Sequence, residues 1–179
     1  MDWAKHRRRK AAAKCHLRLN LQTVLPNFAV VKEANSHDAS EAKVVCADVR
    51  AGEIVVFDKA YVDFKHLNDL EHRGVFWVTR AKDNMAFQIV EAKPVKGSVI
   101  CDQTVQLSSP VSRTDYSGNL RVIQAEVEVN GEKKALAFLT NNTQWAASSI
   151  ADLYKSRWAI EVFFKQLKQT LQLADFLGH

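Results

Sequence analysis

Four residues near the C-terminal end of the chain combine types and spacing suited to chemistry: Tyr154, Arg157, Glu161 and Lys168. Steps of three, four and seven residues return to one face of an α-helix. With Leu153 at zero, Arg157, Lys168, Glu161 and Tyr154 fall at about 40°, 60°, 80° and 100° around the axis. The apolar residues Leu153, Ile160, Phe164, Leu167 and Leu171 stay within about 40° of zero. A helix over Ala147–Leu173 would therefore carry a core stripe and, beside it, a narrow strip of one acid, two bases and a phenol. Such a strip holds a carboxylate at a domain surface with cations next to it. Charge pairs at this spacing also stabilise ordinary amphipathic helices, so spacing alone serves a solvated flank equally well.

A second constellation lies upstream. Val55, Val56 and Phe57 favour a strand, entered after Gly52 and ending on Asp58. Phe64, Leu67 and Leu70 repeat at helical spacing over Val62–Arg73, and Gly74 closes that helix. A carboxylate at the C-terminal end of a strand is a frequent position for chemistry in α/β folds. It is an even more frequent helix N-cap, which is the plainer reading of Asp58 taken alone. A third feature is the cationic run Lys5, Arg7, Arg8, Arg9, Lys10 and Lys14. By charge alone this is a solvated arm; in a protein that handles DNA it contacts phosphates without regard to sequence.

Together these segments resemble the bacterial insertion-sequence transposases of the DDE class, in the insertion-sequence-four group. Tyr154, Arg157, Glu161 and Lys168 reproduce that group's Y-x2-R-x3-E-x6-K signature. Asp58-Lys-Ala-Tyr61 resembles the D-[RK]-[GA]-Y element holding the second catalytic aspartate, and Val75–Lys82 resembles the strand that follows it. Asp2–His16 is similar to the family's Trp-Ala-Lys segment, and His37-Asp38 stands where a His-Asp pair is frequent. The resemblance runs from Trp3 to about Leu173.

It implies an α/β chain with an RNase H-like catalytic core and a β-rich insertion before the last catalytic helix. It implies metal-dependent phosphodiester cleavage and strand transfer in DNA transposition. Asp58 and Glu161 would be catalytic carboxylates holding Mg2+ or Mn2+, while Tyr154, Arg157 and Lys168 would grip the DNA backbone with the basic arm. The implied partners are transposon-end and target DNA, with two protomers pairing on two ends. The family's first aspartate lies on a strand before the Trp-Ala-Lys segment, and Asp2 belongs to that segment instead. The expectation is an incomplete core with its first strand missing, leaving a gap between strands at Cys15–Gln22 and Ile54–Phe57. A truncated fragment without cleavage activity follows from this, or alternatively a non-catalytic DNA-binding remnant that inhibits full-length transposase.

Composition agrees without deciding. The chain has 179 residues, 47% of them hydrophobic, enough for one core. A net charge of +5 suits a polyanion partner. No apolar run spans a bilayer and no secretory signal is apparent, and the resemblance implies a cytoplasmic, nucleoid-associated bacterial protein. Cys15, Cys46 and Cys101 lack metal spacing and read as reduced core thiols.

The organisation divides into 1–83 (first part of the core), 84–145 (β-rich insertion) and 146–179 (the catalytic helix). Leu17, Leu19 and Leu21 alternate over Cys15–Gln22, Pro26-Asn27 marks a turn and Phe28–Lys32 a return strand. Ala39–Val49 reads as a helix capped by Ser36 or Asp38. Strands are expected at Ala86–Glu91, Ser98–Gln106, Leu120–Val129 and Lys134–Leu139, with Asn130-Gly131 a hairpin turn. This stretch either extends the sheet or, by resemblance, contacts DNA. Trp145 and Tyr116 are its candidates for base stacking, while Trp158 reads as a core or interface residue.

Overall fold

The computed structural model describes residues 13–33, 38–129 and 131–170 of the chain. It is a mixed α/β fold. A hairpin of β1 (Ala13–Asn20) and β2 (Leu25–Glu33) stands beside a six-stranded sheet. That sheet is built from β3 (Ile54–Phe57), β4 (Phe76–Arg80), β5 (Phe87–Ala92), β6 (Val99–Leu107), β7 (Leu120–Val129) and β8 (Glu132–Thr140). The order is β3-β4-β8-β7-β6-β5. Only β3 and β4 run parallel, joined through α2 (Phe64–His72). The strands between 84 and 145 thus extend the sheet begun by β3 and β4, since β8 returns to pair with β4.

Period-two alternation splits the sheet's side chains between two cores. Phe57, Trp77, Val122 and Leu139 face one side, where they meet Leu67 and Leu70 of α2 and Ala42 of α1 (Asp38–Val45). Val78, Ile123 and Phe138, one residue along, face the other side. There they bury Ile150, Ala151 and Tyr154 of α4 (Ala147–Ser156). At the end of α2, Gly74 takes φ +73°, the left-handed conformation that stops a helix; a Cβ there would sit 3.1 Å from the Ala51 side chain.

Four local expectations need correction. The helix expected over Ala147–Leu173 is two helices, α4 and α5 (Trp158–Thr170), interrupted at Arg157. Arg157 N–H bonds to the Tyr154 carbonyl and Ile160 N–H to the Arg157 carbonyl, both at 3.0 Å, so the bonds tighten to i→i+3 at the joint. Residues 171–173 lie outside the described part. The hairpin turns before Pro26, not at it: the Asn20 side chain accepts from the N–H groups of Gln22 and Thr23, and Pro26 sits inside β2 opposite Leu19. A strand paired on one edge tolerates that proline. An unexpected short helix, α3 (Pro110–Asp115), opens on Pro110 at its first turn. Finally, Cys15 is exposed, whereas Cys46 is buried. The register Val129↔Glu132 leaves a two-residue β7–β8 connection, in which position 130 lies outside the described part.

Candidate functional site

β3 is short and its last residue, Phe57, is anchored in the core, so the chain leaves the sheet at Asp58. One carboxylate oxygen of Asp58 accepts from Ala60 N–H at 3.1 Å, capping the 3-10 turn Lys59–Tyr61. The capping reading of Asp58 is therefore correct, but it uses only one oxygen. The other lies 3.6 Å from Arg157 Nη1. α2 has its own cap, Asp63, which accepts from His66 N–H at 3.0 Å.

Arg157 comes from the α4–α5 joint. Its second terminal nitrogen donates to Glu161 Oε1 at 2.6 Å, so one guanidinium links two carboxylates separated by residues 59–160. Burial works to lower the Arg157 pKa, but the Glu161 hydrogen bond and the nearby Tyr154 and Asp58 hold it above its ordinary value. Tyr154 is buried: its ring packs 5.0 Å from that of Phe138, and the Arg157 guanidinium carbon lies 5.6 Å from the Tyr154 ring centre. Burial raises the phenol pKa, with Arg157 pulling the other way. Tyr154, Arg157, Glu161 and Asp58 are thus brought together. Lys168 follows on α5 and Lys14 lies on β1, but their side chains fall outside the described part. So do Lys5, Arg7, Arg8, Arg9, Lys10 and His37 as whole residues.

The pair Asp58 and Glu161 offers hard oxygen donors, with side chains 39% and 51% exposed and so open to solvent. That chemistry fits a divalent cation of the Mg2+ type, which takes one or two protein carboxylates and completes its shell with water or phosphate. Among the described residues no third His, Cys, Asp or Glu joins them. Arg157 supplies the positive charge between them.

Next to this pair runs a slot of about 810 Å3. Its wall includes Ile54, Val55, Val56, Phe57 and Asp58 in unbroken sequence, and opposite them Leu17, Arg18, Leu19 and Asn20. A sheet face would contribute every second residue; unbroken runs mean that both strands present an edge. Among the described residues β1 pairs only with β2, and β3 only with β4. Leu153, Ile160 and Phe164, from the apolar stripe of α4 and α5, roof the slot and remain half-buried.

Two groups escaped the sequence reading. Arg121 on β7 is buried and makes a two-pronged ion pair with Asp102 on β6, at 2.7 Å for each bond. Its remaining nitrogen holds the carbonyls of Asn142 and Trp145 at 3.2 and 2.6 Å. Asn141 meanwhile bonds the Trp77 N–H and the Val75 carbonyl, fastening the same loop to β4. This loop launches α4, so these side chains set where Tyr154 and Arg157 begin. A charged residue in an alternating strand was the available signal for both Asp102 and Arg121.

The stacking candidates separate. Trp145 is 42% exposed at the slot, whereas Tyr116 is fully buried, edge-on to Trp77 with its hydroxyl on Glu71, and has no face for a base. Trp158 is 55% exposed, not a core residue. Among the described residues no helix is long and apolar enough to cross a membrane.

Residues 2–178 match the family model described as the transposase DDE domain. The chain is 30% identical over 99% of its length to a protein of Sinorhizobium fredii named as a transposase, y4zB. It is 26% identical over 99% of its length to a protein of Geobacillus stearothermophilus named as the transposase for insertion sequence element IS5377. The alignments cover 50% and 46% of those proteins, so the chain spans about half the length of the curated relatives it matches.

Proposed function

Because the chain belongs to the family of DDE-domain transposases, we propose that it forms the catalytic-side portion of a DNA transposase acting by metal-dependent phosphodiester cleavage and strand transfer. The observation that carries this reading is the meeting of Asp58 and Glu161 on one guanidinium, although residues 59–160 separate them in the chain. A sheet with a parallel pair, helices on both faces and a carboxylate where β3 ends supports an RNase H-like core.

Asp58 and Glu161 hold Mg2+ or Mn2+ in this reading. The cation would activate the attacking hydroxyl or water and stabilise the leaving oxygen. Asp58 is pre-oriented by the Ala60 N–H on one oxygen, and its other oxygen, 3.6 Å from Arg157 Nη1, is the one placed for ligation. Arg157 neutralises the two carboxylates until a cation arrives and then turns its fork to the DNA backbone. Lys168 and the basic residues Lys5, Arg7, Arg8, Arg9, Lys10 and Lys14 extend the grip on phosphates. Among the described residues β1 and β3 each keep an unpaired edge, which fits one further strand, and a third carboxylate on that strand would complete the ligand set. Two protomers on two DNA ends are the assembly this reading expects.

Two measurements test the reading. The chain should bind duplex DNA at low salt and take up Mn2+, detected by electron paramagnetic resonance, with Asp58→Asn and Glu161→Gln each abolishing the metal signal. With no third carboxylate beside Asp58 and Glu161 among the described residues, the chain should not nick DNA. Reproducible Mg2+-dependent nicking removed by Asp58→Ala would sink the incomplete-site proposal. DNA binding with no Mn2+ uptake would favour the non-catalytic binder.

A further inference from the structure

The turn that follows Asp58 has little of its own to hold it. Lys59–Tyr61 lies between two core residues, Phe57 and Val62, and none of its three residues is buried. Lys59 and Ala60 are exposed. The one printed ion pair of this turn, Lys59 with Asp83, spans 3.9 Å between open side chains and holds weakly. Yet Ala60 supplies the N–H that fixes one Asp58 oxygen, and Tyr61 N–H bonds the Asp58 carbonyl at 3.0 Å. The aim of the carboxylate therefore depends on where Tyr61 is held.

Tyr61 is anchored at two points. Its ring packs against the core that α1 and α2 share with the sheet. Its hydroxyl lies 3.0 Å from His16 Nδ1, and the two rings meet edge-on, with centroids 6.0 Å apart and planes at 89°. His16 sits on β1 opposite Val30 and is only 2% exposed. The bond thus runs from the hairpin, across 45 residues of chain, to the turn that caps Asp58. Groups that orient a ligating carboxylate from behind strengthen metal binding, because less ordering remains to be done when the metal arrives. We propose that His16 and Tyr61 are positioning residues for Asp58, which hold its carboxylate in the orientation that takes a divalent cation. This rests on the metal reading above and extends it to two side chains that act through the backbone of the turn.

The test is Mn2+ uptake by the full chain, read by electron paramagnetic resonance beside the thermal midpoint. Tyr61→Phe keeps the ring on the core and removes only the hydroxyl. It should raise the Mn2+ Kd about tenfold. His16→Ala should do the same, and the double variant should be no worse than either single one, because both cut one connection. His16→Gln, whose amide can still bond the hydroxyl, should recover most of the affinity. Arg18→Ala cuts the hairpin's other tether, to Asp48 and the Val45 carbonyl, which does not lead to the turn. It should lower the midpoint and leave the Mn2+ Kd unchanged. An unchanged Kd in folded Tyr61→Phe overturns the proposal. So do additive losses in the double variant, or a loss in Arg18→Ala as large as in Tyr61→Phe, since either reduces the pair to an ordinary stabiliser of the fold. Should the variants fail to fold, Mg2+ titrated into the unmodified chain gives the answer. The His16 Nδ1 resonance in a nitrogen-15 spectrum should shift and saturate, and an immobile resonance overturns the link while leaving the metal reading standing. Failure of the unmodified chain to take up Mn2+ removes both.

Discussion

The two ends of the molecule's β-structure are built by opposite rules. In β6, β7 and β8 every strand is paired on both edges, and a buried Arg121–Asp102 pair ties the sheet to the loop that starts α4. At β3 and the β1–β2 hairpin, edges are left over among the described residues. The hairpin is attached to the rest by side chains such as Arg18, which bonds Asp48 at 2.6 and 2.9 Å and the Val45 carbonyl at 2.7 Å. His16 and Tyr61 meet at 3.0 Å in a second tether. The first region positions the site by closure; the second leaves room beside it. The carboxylate Asp58 stands at the border between them.

The largest expected effect breaks the closed region. Arg121→Ala or Asp102→Ala leaves a buried charge without its partner and should cost about 3–5 kcal/mol in chemical denaturation. Replacing both residues by leucine should recover much of that loss. A single variant with an unshifted midpoint would erase the contrast between the regions. The next effect reads the open region directly. Slot-facing amides of β3 should exchange with solvent much faster than those of β7, in alternation along Ile54–Phe57. Uniform protection of β3 would mean that its edge is covered.

Smaller effects are expected at the border. Asp58→Asn and Glu161→Gln should each change stability by no more than about 1 kcal/mol, because these ion pairs are partly exposed. Thermal melts of the two variants check this. The smallest effect concerns the tether. The hydrogen bond from Arg18 holds the Asp48 carboxyl at about 2, below its usual 3.8. A depressed carboxyl contributes stability above its unfolded value and loses it as pH falls through the folded one. Hairpin attachment should therefore weaken between about pH 4 and pH 2. Limited proteolysis in that acid range should then cut the β1–β2 hairpin before the six-stranded sheet.

Much of this was legible in the residues. β3 falls where Val55, Val56 and Phe57 placed it, and Arg157 and Glu161 meet as their four-residue spacing suggested, whereas the approach of Asp58 to them was implied only by the family resemblance. The joint at Arg157 was not legible, because no Pro or Gly marks it and the 3.6-residue period continues through it. The Arg121–Asp102 pair depends on strand register, which no local pattern encodes. Tyr116 sits between Asp115 and Ser117 and reads as surface; its burial follows from α3, which lays the ring against Trp77.

The break between α4 and α5 places the two carboxylates on different bodies. Asp58 belongs to the sheet, and α4 is fixed to it through Ile150, Ala151 and Tyr154. Glu161 lies beyond the joint, on a helix whose inward residues border open space. The distance between the carboxylates is therefore governed by the dihedral angles of a single arginine. Whatever fills the slot beneath α5 therefore lies against the helix that carries Glu161 and against the strand that ends on Asp58.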